Sequence, residues 1–564
     1  MKRKLLSAAV SAIALAGFSL APQAVATTTS SAYDVYLAGS SAQDSFVFGQ
    51  IAGLCGSNAV TVYYDNGGNT LNSQAGSATV AKAIYGLNYK VFDCVVGTAK
   101  YGLNVGDNVT FHKVNLGGSA QGVVPIFTNT NVNTLSIKNS NCYTDNSLKT
   151  VGLPGVVGNA VNPATATLKV CTTSNTGDLV SAPVDGGLSD VNPTLFQGVN
   201  QAFQSYNAGT GNTSYFPEVT SIPSGVTIVP GAALTMGVPV TLNLYKALQA
   251  AQGLSTGSCA LGSYTDACMP SLTKPVLTSL ISGNITDWSA LSYNGVTLKQ
   301  AAINAGLITA SFDTTVNFCQ RVAGSGTAAA QYAYFLNAPG NSATTLPPTS
   351  GSQYGPYVYS LADGGNMEAC LDDFGTGATT NAKDYTGTPL LTAPQAAWAI
   401  GQLSVDKNPT AGKAYRFIKI NGVAPTLANV YNGAYDFVVE STWQYQTNPV
   451  QGRTKQQAIV KALITEAQTP NLIYTQLNAT VNPVFAGGSG TTSSMTGLGV
   501  AGFAEPISNA VAVNSAYTQP NAFDPLNPVY PWSHALAGAL DNGSFTGLNS
   551  SATFAPSAPA AAAQ

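Results

Sequence analysis

A chain of 564 residues with charged side chains at only 8%, where ordinary soluble domains carry about 25%, can bury a large core in more than one lobe. It must cover its surface with Asn, Thr, Ser, Gln and Gly. Its net charge of −3 gives no electrostatic footprint for nucleic acid and no polybasic patch for anionic lipid, so any charged ligand has to be recognised locally.

The first segment in chain order is a leader. Met1–Lys4 is basic, Leu5–Ala21 is apolar without a charge, and Ala24-Val25-Ala26 supplies small residues at the cleavage positions, which predicts a signal peptide over residues 1–26. The first cysteine is Cys55, too far from that site for a lipid anchor. No second apolar run approaches the length a bilayer requires. The expectation is a soluble product, periplasmic or secreted, without a membrane anchor.

From Tyr33, "AYDVYLAGSSAQDSFVFGQIAGLC" predicts a strand, a glycine-serine turn and a helix with Phe46, Ile51 and Leu54 on one side. Over residues 58–184, β-branched runs such as "AVTVYYD", "VTFHKVNL" and "ATLKVCTT" alternate with Asn/Gly turns, predicting short strands and hairpins. After Pro230, strands and helices alternate. "MGVPVTLNLYKALQAAQ" and "NFCQRVAGSGTAAAQYAYFL" each run from strand to helix, "LTSLISGNITDWSAL" is a helix closed by a Gly-Asn turn, and "AAWAIGQLSVDKN", "AYRFIKINGVAPT" and "AYDFVVESTWQYQ" add strands. That alternation predicts parallel α/β layers. "KQQAIVKALITEAQ" predicts a further helix, and the tail 549–564 is low-complexity and expected to be disordered.

The eight cysteines are an even count in an exported chain, which favours disulfides. Sequential pairing is the working expectation: Cys55 with Cys94, Cys142 with Cys171, Cys259 with Cys268, Cys319 with Cys370. No C-x-x-C occurs, and the only histidines are His112 and His534, so neither a zinc site nor any other metal or cofactor is expected. His112 reads as a strand-face residue, and no Ser-His-Asp constellation or G-x-S-x-G elbow suggests catalysis. Trp288 and Trp398 read as core.

The chemistry concentrates at "RVAGSGT", Arg321 to Thr327. A guanidinium offers a planar fork of donors for a tetrahedral oxyanion or a carboxylate. The glycines let backbone N–H groups approach closely, Ser325 and Thr327 add hydroxyls, and the following helix presents its positive end. In isolation Gly-Ser-Gly is far more often an ordinary N-cap turn and such an arginine a surface residue; the neighbouring blocks change those odds.

Together with other blocks, this loop resembles the phosphate-binding protein family of the bacterial phosphate importer, within the type II periplasmic binding proteins. The similarity spans about Ala32 to Gln444 as short blocks in order: "LAGSSA" (37–42), "GGSAQGVVPI" (117–126), "VDGGLSDVNP" (184–193) and "RVAGSGT" itself, flanked by "GVPVTLNL", "LISGNITDW" and "AIGQLSVDKN". The resemblance implies a two-lobed α/β fold with a ligand cleft between lobes that close on a hinge. Lobe one would be 27–236, with β-rich insertions at about 58–184, and would resume over 417–548 with a C-terminal extension; lobe two would be 237–416. It implies an oxyanion bound by Ser41 and the Ala42 amide, by Ser119, by Asp190 accepting from a protonated oxygen, and by Arg321, Ser325, Gly326 and Thr327 from the other lobe. It further implies a monomeric, non-enzymatic solute-binding protein whose partners are inorganic phosphate or a similar oxyanion and an ABC permease.

Two features depart from the family. Ala323 stands at a position that is acidic in the family, leaving Asp190 as the expected acceptor, and the intervals from Ser41 to Ser119 to Asp190 are longer. Asp190 in "SDVNPT" would serve equally as a turn or cap residue, and Ser41 as an N-cap. The alternative reading is an extracellular surface or adhesive protein on the same scaffold without tight anion binding, with a phosphatase-like hydrolase third.

Overall fold

The computed structural model describes residues 32–65, 88–144, 167–207, 212–339, 355–468 and 503–504, apart from 57, 139, 174, 379–380, 384–388, 392, 394, 410–411, 427–428 and 431–433. The leader, the tail and most of the C-terminal extension lie outside the described residues. Among those described, no helix is long and apolar enough to cross a membrane.

β1 (Ala32–Gly39) buries Val35, Leu37 and Ala38. It stops at Gly39, whose φ of +108° and whose approach to the Leu188 carbonyl leave no place for a Cβ. After a four-residue turn, α1 (Asp44–Cys55) buries Phe46, Ile51 and Leu54. Then follow β2 (Val60–Asp65), β3 (Tyr89–Val95), β4 (Asn108–Val114), α2 (Ser119–Thr128), β5 (Thr167–Cys171) and β6 (Gly186–Ser189). β1 pairs in parallel with β4 and β6. β3 runs antiparallel to β4 and to β2, and β5 pairs in parallel with β2. The strands of 58–184 therefore extend the edge of the first-lobe sheet. A separate two-stranded sheet, Val132–Leu135 with Leu179–Ala182, packs beside it, and His112 meets Thr134 of that sheet at 3.3 Å.

The long strand β7 (Val226–Thr241) joins the two lobes. Its first part pairs antiparallel with β12 (Val438–Gln446), as far as Thr235 opposite Val438. Three residues later Val238 stands opposite Ile418 of β11 (Tyr415–Ile420). In the second lobe, α3 (Leu242–Ala251), β8 (Asn317–Arg321), α4 (Gly326–Leu336), β9 (Tyr357–Leu361), α5 (Gly364–Thr376) and β10 (Ala399–Gly401) form a sheet covered by helices. β8 is parallel to both β9 and β10, and β10 is antiparallel to β7. The chain leaves this lobe after β11 and re-enters the first through β12, antiparallel to β6, followed by α6 (Thr454–Ala467).

The architecture is a two-lobed mixed α/β fold, as the resemblance implies. Trp288 and Trp398 are fully buried. All four disulfides form between sequential cysteines: Cys55–Cys94, Cys142–Cys171, Cys259–Cys268 and Cys319–Cys370.

Candidate functional site

A cavity of ≈ 40 Å³ opens between the lobes, room for about three waters or one small anion at ~10–15 Å³ per water-sized sphere. Its walls are the ends of helices. The Ser41–Ala42 turn precedes α1, Gly118 caps α2, Ser325–Thr327 opens α4, and Asp363–Gly364 opens α5. The first N–H groups of a helix have no partner within it, and the macrodipole adds about half a positive charge at each such end. Helix ends from both lobes thus face one small volume.

Seven of the expected residues line this cavity: Ser41, Ala42, Asp190, Arg321, Ser325, Gly326 and Thr327. Ser41 is the exposed one. The Ala42 amide is engaged by the Ser40 hydroxyl at 3.0 Å. Ser325 caps α4, its Oγ accepting from the Ala328 amide at 3.4 Å. Ser119 is not on the cavity wall. It lies buried behind Asp190, its hydroxyl donating to Oδ2 at 3.1 Å and accepting the Asp190 amide at 3.1 Å, so it positions the carboxyl.

Arg321 ends β8, where its amide donates to Gln402 Oε1 at 2.7 Å. Its Nη2 donates to the Ala362 carbonyl at 3.1 Å, while Nε is buried without a hydrogen-bond partner. Burial pulls its pKa down, opposed by Asp363 and Asp190. None of the ion pairs formed among the described residues includes it. An inward-facing cation with a spare donor is a ready partner for an anion.

Asp190 accepts from Ser40 Oγ as well as Ser119. Burial raises its pKa against the pull of those hydroxyls and of Arg321 and Lys113. It is not the cavity's single carboxylate, in contrast to the sequence expectation: Asp363 and Asp406 also line it, with Lys407 as a second cation. Burial pushes Asp406 up to about 6 although Lys407 beside it favours the ionised form. Burial opposes the charge of Lys407, but Asp406 and Glu368 outweigh it and raise its pKa.

Sequence reading missed Ser40, Asp363, Asp406 and Lys407. Ser40 stands one place before the chosen serine in "GSSA". Asp363 caps α5, accepting from the Asn366 amide at 2.8 Å, and the pattern Asp-Gly-Gly before a helix was its signal. Asp406 and Lys407 are adjacent charges in a charge-poor chain, at the end of a block already likened to the family. Among the described residues no group of three or more His, Cys, Asp or Glu side chains could hold a metal ion.

No known protein family matches the sequence, and no curated protein does. Among solved structures, the chain is similar at 12% identity and a TM-score of 0.30 to a Clostridium perfringens protein assigned to phosphate ABC transport and solved with bound phosphate, covering 78% of this chain and 96% of that one. An ABC-type phosphate transport receptor from Vibrio cholerae shows 14% identity and a TM-score of 0.25 over 46% of this chain and 74% of its own. PstS from Borrelia burgdorferi shows 10% identity and a TM-score of 0.22 over 55% and 85%.

Proposed function

We propose that this protein binds phosphate or a related tetrahedral oxyanion between its lobes without altering it, as an exported, monomeric solute-binding protein that serves an ABC importer. The observation that carries this reading is Arg321: a partly buried guanidinium that forms no ion pair among the described residues and whose Nε is buried without a partner, facing a cavity onto which helix ends from both lobes open. A buried donor left without a partner is costly, and a small oxyanion supplies the missing acceptors for the fork. Ser41, Ser325, Gly326 and Thr327 supply neutral donors around it, beside Ala42, whose amide is held by the Ser40 hydroxyl. Asp190, held in place by Ser40 and Ser119, accepts from a protonated oxygen.

The test is calorimetric titration of the mature protein with phosphate, arsenate and sulfate. A saturable heat with at least one of them is expected, and Arg321→Ala should weaken it by about 10–100-fold, the weight of one to two charge-assisted hydrogen bonds. Silence toward all three anions overturns the reading and favours a surface role on the same scaffold.

A further inference from the structure

Behind the cavity wall lies a second set of charges. Lys90 on β3 stands opposite Lys113 on β4 across the strand pair, and both reach Asp44 at the start of α1. Lys90 Nζ is 2.6 Å from Oδ2 and Lys113 Nζ is 3.4 Å from Oδ1, with side-chain exposures of 0%, 1% and 0% for Lys90, Lys113 and Asp44. Asn115 donates to the same Oδ2 at 2.6 Å. Lysines are almost never buried so completely, and two of them share one aspartate.

Lys113 also faces the site. Its Nζ donates to the Gly39 carbonyl at 3.0 Å and to the Ser40 carbonyl at 2.8 Å. Ser40 is the residue whose hydroxyl donates to Asp190 and accepts the Ala42 amide. The ammonium is thus one residue removed from the cavity lining. The charges within the cavity make that position matter: Arg321 and Lys407 stand against Asp190, Asp363 and Asp406, two cations against three carboxylates, which disfavours an anion. Two lysines against Asp44 return one positive charge from behind, in surroundings where water screens it little.

We propose that Lys113 is a positioning and specificity-determining residue of the oxyanion site: its ammonium fixes the Gly39–Ser40 turn and supplies the buried positive charge that offsets the cavity's carboxylates. This rests on the oxyanion reading above. Asp44, Lys90 and Asp190 are the charged groups that face Lys113; Asp65 and Lys407 act on Lys90 in turn. Burial pulls the Lys113 ammonium down to about 8 despite Asp44. Its charge is therefore present below that pH and lost above it.

The experiment is calorimetric titration on either side of pH 8 with sulfate, whose charge is constant there, and with phosphate corrected for its own proton. The wild type should lose affinity by about tenfold on crossing pH 8, Lys113→Met should bind about tenfold more weakly below pH 8 and show no step, and Lys113→Arg should keep affinity on both sides. A merely structural lysine would not move that pH step. A Lys113→Met protein with wild-type affinity and an unchanged step overturns the proposal. So does a wild type that binds an anion with no loss across pH 8, a result that stands even if the variants fail to fold. A wild type that binds none of the anions overturns this proposal together with the oxyanion reading, whereas binding without the step overturns this proposal alone.

Discussion

Arg321 and Asp406 show how one cavity handles charges of opposite sign. Lysine at position 321 would keep the charge but replace a planar fork by a point donor on a flexible stem. Arg321→Lys is therefore expected to retain anion binding at a level between wild type and Arg321→Ala, measured by the same titration. Asp406 carries a pKa raised from 3.8 to about 6 by burial, so the folded chain holds its proton more tightly than the unfolded one. On this group's account stability therefore falls as pH rises from 3.8 through about 6, by up to about 3 kcal/mol at ~1.4 kcal/mol per unit. Asp406→Asn should flatten that part of the stability–pH profile in urea unfolding; an unchanged slope would refute the assignment. At this scale the sequence was legible where chemistry clusters in one loop, as from Arg321 to Thr327. It was mute where a side chain acquires its role from a distant partner. Ser119 looked like a ligand because its loop did, yet its hydroxyl is spent on Asp190, and Asp363, which caps α5, drew no notice.

Helix and strand identity came through, apart from α2 (Ser119–Thr128), which lies in a stretch read as strands and hairpins, because hydrophobic period and glycine placement are local signals. Strand order did not. The runs at 58–184 were recognisable as strands, but that they continue the first-lobe sheet depends on pairings such as Thr61 with Thr167, which leave no local mark. Pro230 had a similar effect: the sequence read a strand only after it, whereas β7 starts at Val226 and carries Pro230 next to a register shift, where a missing N–H is tolerated. The disulfides tie elements together unequally. Cys319–Cys370 joins β8, which ends in Arg321, to α5 across 51 residues, while Cys259–Cys268 closes a loop of 9. On the chain-entropy account, losing the first should cost about 4 kcal/mol and the second about 2.5. Urea unfolding of the two double Cys→Ser variants should rank them in that order, and the Cys319/Cys370 variant should in addition weaken anion binding, since β8 and α5 both present residues to the cavity.

Across the whole molecule, the two lobes meet at the cavity rim through backbone. The Ala120 amide at the start of α2 donates to the Gly324 carbonyl of the second lobe at 3.0 Å. Beside that contact, Gly326 faces Ser119 and Asp190 so closely that a Cβ would lie 2.3 Å from Ser119 Oγ and 2.9 Å from the Asp190 Cβ. Asp190 is fixed by Ser40 and Ser119 and cannot yield without losing those bonds. The lobes themselves are joined by β7 and by the return from β11 to β12, and hinged lobes with few connecting segments can separate as rigid bodies. Gly326→Val should therefore relieve its clash by opening the interlobe angle, leaving each core intact. In small-angle scattering the variant should have a larger radius of gyration than the wild type, at an unchanged circular dichroism spectrum, and added phosphate should compact the wild type alone. Equal radii with and without phosphate in both proteins would mean that closure at this rim plays no part in binding, and that the glycine is kept only for local packing.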